Sequence, residues 1–215
     1  MRPFTLINTR IALIAMVLMV SGCSLLRNNF SGPQQRISGL LELHETGFTL
    51  RQCGAGTAQA VTASAGLNEI FQQAVQPGQT AIFVDMLGRI DNSGRVTPGE
   101  MLRMQSHGPG CAESSGHAAQ WVALQYKPAW RATLTANGLT RSDAQQGYPT
   151  APVVTEKLPD GSLNARSLDG ELELWLYPQR CQDVVSGDYF HMRAVMLING
   201  ERHAGCGYQG RETAP

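Results

Sequence analysis

Residues 38–56 read SGLLELHETGFTLRQCGAG. Leu41 and Leu43 alternate with Glu42 and His44, and Phe48 and Leu50 alternate after Glu45-Thr46-Gly47. Period two on both sides of a glycine turn predicts a β-hairpin that starts near Ile37 and ends at Cys53. A hairpin with one apolar face is not stable alone, so further strands must cover it.

Those strands follow. Leu67, Ile70, Phe71, Ala74 and Val75 mark one face of a short helix, with Ser64 as its cap and Pro77-Gly78 after it. Thr80–Leu87, TAIFVDML, is apolar on both faces except at Asp85, which predicts a central strand. Residues 88–99, GRIDNSGRVTPG, hold two turn signals, and Glu100–Gln105 is a further short strand. Strands, one helix and more strands predict a small OB-like barrel over residues 35–115.

Residues 120–210 carry no helical period. Trp130–Ala136, Asn137-Gly138 and Leu139 form a hairpin signal, and KLPDG (157–161) forms a turn. In Glu171–Tyr177, ELELWLY, Leu172, Leu174 and Leu176 share one face, while Glu171, Glu173 and Trp175 share the other. Tyr189–Ile198 reads as one long strand, turned back at Asn199-Gly200 towards Cys206. The fold class expected is mainly β: a small OB-like barrel with one inserted helix, followed by a small all-β domain.

The front of the chain gives an address. Arg2 and Arg10 precede Ile11–Val20, IALIAMVLMV, ten uncharged residues. A membrane span needs about 20 apolar residues, so this run suits a secretory signal over residues 1–22. Val20-Ser21-Gly22-Cys23 resembles the bacterial lipobox. That resemblance implies diacylglycerol on the Cys23 sulfur, cleavage before Cys23 and acylation of the new amino terminus. Two or more acyl chains anchor stably where one does not. The alternatives are an ordinary secreted protein and a transmembrane anchor. Residues 23–34 form the lipidated tether. Ser24 after the cysteine, rather than Asp, implies the outer membrane in Gram-negative lipoproteins.

Removing residues 1–22 removes two Arg and no acid, so 15 basic residues face 17 acidic ones, a formal charge of −2. That balance has no electrostatic footprint for nucleic acid. Of five Cys, Cys23 is spoken for, which leaves Cys53, Cys111, Cys181 and Cys206. An even set in an oxidising compartment reads as two disulfides, with three connectivities open. Cys53–Cys111 with Cys181–Cys206 is favoured because each pair falls inside one proposed domain. A cysteine metal site is the competing reading, although no C-x-x-C occurs.

Two resemblances follow. Phe48, Leu50 and Cys53-Gly54, then the helix, Pro77-Gly78, Val84 and Gly88, resemble the OB-type domain of NlpE-like envelope lipoproteins over about 75 residues. That family's copper-associated C-x-x-C belongs to another domain, so its copper role does not carry over. In the second region, residues 126–134 and Cys181, Asp183, Ser186, Tyr189 and Gly205-Cys206-Gly207 resemble uncharacterised Gram-negative envelope proteins distantly like HslJ/META domains. The second resemblance implies compartment and fold only. Its two cysteines match Cys181 and Cys206.

Candidate sites are few. Asp183, Ser186, Asp188 and Tyr189 cluster between strands, where Asp and Ser bond nearby amides and hold a turn. A ligand site of Asp183, Asp188 and Tyr189 is the sharper alternative. Trp175 beside Tyr177 suits protein or glycan recognition if exposed, and Trp121 and Trp130 are core or surface aromatics. Met101, Met104 and His107, with Met86 near, have the donors that suit Cu(I), although Met also fills cores. His107, Cys111 and His117 could form a zinc set only if Cys111 were free. There is no G-x-S-x-G, H-E-x-x-H or P-loop, and Glu171 and Glu173 read as solvated. The expectation is a non-catalytic, outer-membrane-anchored periplasmic lipoprotein without a cofactor. It would act as a binding or interaction module in envelope maintenance or stress response, with an envelope protein or glycan as partner. The alternatives are a copper-binding lipoprotein and an enzyme on envelope polymers.

Overall fold

The computed structural model describes residues 33–113 and 118–211. The signal, Cys23 and its tether through Gly32 therefore lie outside the described residues, as does His117.

The hairpin that decides the fold forms as its alternation requires. β1 (Gln35–His44) pairs antiparallel with β2 (Gly47–Gln52), with Leu41 opposite Leu50 and Leu43 opposite Phe48. Leu41, Phe48 and Leu50 are buried. Gly47 adopts φ 115°, a conformation that L side chains rarely adopt. β3 (Ala58–Ala60) continues the meander on β2.

α1 (Ala65–Ala74) starts where Ser64 Oγ accepts from the Leu67 amide at 3.1 Å. It buries Leu67, Phe71 and Ala74, and Phe71 meets Phe48 edge-to-face at 5.1 Å. β4 (Ala81–Ile90) lies between β1 and β5 (Val96–Gln105), and residues 82–86 are all buried, as a central strand demands. Bulges between β4 and β5 shift the register at Met86. As a result Met101 and Met104, three residues apart, both join the core, and the intervening Leu102 and Arg103 are buried as well. The strand order is β5-β4-β1-β2-β3. A parallel bridge between Val61 and Val96 brings the end beyond β3 back to β5. With the helix between β3 and β4, this is the OB-type barrel expected.

The second half is an up-and-down sheet. β6 (Trp121–Tyr126), β7 (Ala129–Thr135), β8 (Gly138–Asp143), β9 (Val153–Lys157), β10 (Leu163–Ser167), β11 (Leu172–Tyr177), β14 (Met192–Ile198) and β15 (Glu201–Gln209) form eight strands, with β15 back against β6. A bridge between Leu139 and Ala151 draws β8 to the approach of β9, so the barrel is nearly closed. Its core includes Leu134, Leu139, Leu174, Leu176 and Met196. Leu172, Leu174 and Leu176 point inwards as the alternation in ELELWLY predicts.

One strand departs from expectation. Tyr189–Ile198 is not continuous but splits at His191. β12 (Cys181–Gln182) and β13 (Tyr189–Phe190) leave the second barrel and extend the first, with Tyr189 opposite Met104 and Phe190 opposite Arg103. His191 marks the change of sheet, its amide donating to the Leu102 carbonyl at 2.9 Å. The physical gain is a third core, where Phe190 packs with Val122, Leu124, Cys206 and Tyr208 between the barrels.

The disulfides are Cys53–Cys111 and Cys181–Cys206, as favoured from the sequence. The first ties the β2 end to the segment after β5. The second ties the excursion back to β15.

Candidate functional site

The seam between the barrels is charged and buried. Asp85, the one buried polar residue of the central strand β4, is fully buried. Arg36 donates to both of its oxygens, Nε to Oδ1 at 2.9 Å and Nη2 to Oδ2 at 2.7 Å. Arg103 Nε lies 3.5 Å from Oδ2, and Arg211 Nη2 lies 3.7 Å from Oδ1. Arg36 also donates to the carbonyls of Gln209 and Gly210 at the end of β15. A buried charge is tolerated only when paired and hydrogen-bonded in this way.

Arg103 passes the network on. Its Nη1 donates to Gln105 Oε1 at 3.0 Å and pairs with Glu113 Oε2 at 2.5 Å. Glu113 Oε1 accepts from Arg131 Nη2 at 2.7 Å and from the Tyr208 hydroxyl at 2.8 Å. The Arg103 guanidinium also sits 4.0 Å over the Tyr208 ring and 4.8 Å over Phe83. Burial works against the Glu113 charge, but Arg103, the Tyr208 hydroxyl and Arg131 outweigh it and hold its carboxyl below the ordinary value. Burial pushes the Tyr208 hydroxyl up to about 12, so it stays a donor.

Beside this network lies a cavity of about 250 Å³. The first barrel supplies Arg103, Gln105 and Glu113, and the second supplies Leu124, Tyr126 and Trp130. Gly108, Pro109 and Ala129 form its exposed mouth. The polar wall is self-paired. Gln105 Nε2 donates to the Tyr126 hydroxyl at 3.1 Å, which donates to Asp188 Oδ2 at 2.8 Å. Trp130 Nε1 donates to Gln125 Oε1 at 3.1 Å.

The structure separates the residues singled out in the sequence. Asp183 Oδ1 accepts from the amides of Val185 and Ser186, both at 2.9 Å, and from Ser186 Oγ at 3.1 Å. Asp183 therefore holds its own loop, as the turn reading has it. Asp188 is buried and reaches the first barrel, accepting from the Ser106 amide at 2.8 Å and Ser106 Oγ at 2.9 Å. Burial raises its carboxyl above the ordinary value despite those bonds. Tyr189 packs against the first barrel's core, and burial raises its hydroxyl. Trp175 belongs to β11, where its ring stacks with Tyr177 at 6.0 Å. Asp183 and Asp188 share a loop, but their bonds are internal to the fold.

Met101 and Met104 lie in the first barrel's core with Met86. His107 is exposed and within 3.9 Å of Asp188. Cys111 is consumed by its disulfide. Trp121 packs on the second core and stacks with His191. Glu171 is exposed, and Glu173 Oε1 accepts from Asn164 at 2.8 Å. Among the described residues no cluster of three His, Cys, Asp or Glu is placed to hold a metal, and no helix is long and apolar enough to cross a membrane.

The seam itself escapes sequence reading. Arg36, Arg103, Glu113, Arg131 and Tyr208 have no shared spacing, and the only hint is Asp85 in an apolar strand. No protein-family model matches the chain, and neither a curated protein nor a solved structure matches it.

Proposed function

We propose that the chain is a periplasm-facing lipoprotein, anchored to the outer membrane through Cys23, that acts as a non-catalytic binding module in envelope maintenance or stress response. The observation that carries this reading is the cavity, with Leu124, Tyr126 and Trp130 on one side and internally paired polar groups on the other, at a seam that charged groups lock from both barrels. A cleft between rigid units, lined by aromatic and aliphatic groups with a few placed polar ones, is where small ligands bind. The lipobox-like Val20–Cys23 and the two disulfides support the address. The copper reading draws less support, because Met101 and Met104 face the core while His107 is exposed.

Native mass spectrometry of the exported full chain tests this, alongside a Cys23→Ser form and with Cu(I) or Zn(II) added. The reading expects a lipid mass that Cys23→Ser loses and no retained metal. Stoichiometric copper contradicts it in favour of metal handling, and a chain without lipid contradicts the address.

A further inference from the structure

We propose that the seam cavity takes a small uncharged apolar ligand, about one or two fused rings in size. This rests on the reading of the cavity as the module's binding site. The argument is one of satisfied partners. Every guanidinium, carboxylate and amide side chain lining the cavity already bonds within the protein. Arg103 and Arg131 share Glu113, Gln105 bridges Arg103 to Tyr126, Gln125 holds Trp130, and Asp143 accepts from Tyr148. The one buried side-chain polar atom without a hydrogen bond among the described residues is Arg103 Nε, and the Asp85 carboxylate 3.5 Å away answers its charge.

A polar ligand that displaced any of these bonds would leave a buried partner unmade, which is costly. An apolar ligand breaks none. It gains by removing water from the faces of Leu124, Tyr126, Trp130 and Pro109. The lining charges also cancel, Arg103 and Arg131 against Glu113 and Asp143, so the site exerts no net pull on an ion. For scale, an apolar cavity of about 150 Å³ holds benzene. The opening at Gly108, Pro109 and Ala129 gives access without unfolding either barrel.

The test compares two dyes on the full chain: uncharged N-phenyl-1-naphthylamine and its sulfonated relative 1-anilinonaphthalene-8-sulfonate. Binding is read by dye fluorescence and by quenching of the tryptophan emission to which Trp130 contributes. The proposal expects the uncharged dye to saturate at one per chain, naphthalene to displace it, and Ala129→Trp at the mouth to weaken it about tenfold or more. Trp175→Phe, outside the cavity, should leave it unchanged. Displacement by naphthalene needs no variant, so a poorly folded Ala129→Trp does not remove the test. Tighter binding of the sulfonated dye at the same site overturns the ligand class and leaves the cavity as a site. Saturation by neither dye, or binding indifferent to both naphthalene and Ala129→Trp, overturns the site as well.

Discussion

Arg36 and Asp85 form a two-pronged ion pair on the seam side of the first barrel, and the same guanidinium bonds the carbonyls of Gln209 and Gly210 at the end of the second. One side chain thus couples the first strand described to the last. Residues near both ends of the described chain must be in place before Asp85 is fully partnered, since Arg211 also approaches it.

Asp85→Ala should therefore cost more than a surface ion pair does. It leaves Arg36, Arg103 and Arg211 without their carboxylate, and stranding buried charge costs about 3–5 kcal/mol. Urea denaturation checks this. A loss below about 1 kcal/mol, the range of exposed pairs, would contradict the account.

Glu113 sets a pH dependence. Its carboxyl lies below the ordinary 4.5 in the fold and returns there on unfolding. Its stabilisation is therefore present above that value and lost as pH falls through the folded value. Asp188 has the opposite sign. Its carboxyl is raised above 3.8, so its contribution is present below 3.8 and lost as pH rises through the folded value. Glu113→Gln should flatten the rise of melting temperature between about pH 3 and 5, and Asp188→Asn should steepen it. Thermal unfolding by circular dichroism across that range reads both slopes.

The disulfides differ in reach. Cys53–Cys111 spans 58 residues and Cys181–Cys206 spans 25. Chain entropy alone gives about 4 and 3.5 kcal/mol. The first also anchors the segment that carries Glu113, so replacing both its cysteines by Ala should cost more than the same change at the second. Denaturant midpoints of the two double variants rank them.

Gly187 holds the 183–188 loop against the helix. Its φ is 75°, and a Cβ there would stand 2.4 Å from the Gln73 carbonyl oxygen. Gln76 Nε2 donates to the Ser186 carbonyl from the same helix end at 2.7 Å. Gly187→Ala should destabilise by about 1–3 kcal/mol. It should also speed hydrogen exchange at Val185 and Ser186, whose amides Asp183 holds.

Local chemistry was legible where it is periodic or covalent. Leu41 and Phe48 announced their hairpin by alternation, Ser64 announced its helix, and cysteine parity announced two bridges. The excursion at residues 181–190 was not legible, because β12 and β13 are two residues each and too short to show a period. Tyr189–Ile198 consequently read as one strand when His191 divides it. The seam was invisible for a different reason. Arg36 and Gly210 are 174 residues apart, and such pairs leave no mark on their neighbours. Asp85 was the single trace, a charge placed where only a partnered charge can stay. Met101 and Met104 misled in spacing, since a three-residue interval joins one face of a strand only when a bulge intervenes.

The central claim is that the seam makes two barrels one body and so fixes the cavity between them. Trp121, Trp130 and Trp175 all lie in the second barrel, whereas far-ultraviolet circular dichroism senses both. Urea unfolding followed by both probes on one sample is the direct measurement. The account predicts a single transition with coincident midpoints, and Asp85→Ala should shift both together. A tryptophan transition separated from a second one seen only by circular dichroism would show barrels that unfold independently, and it would contradict the claim.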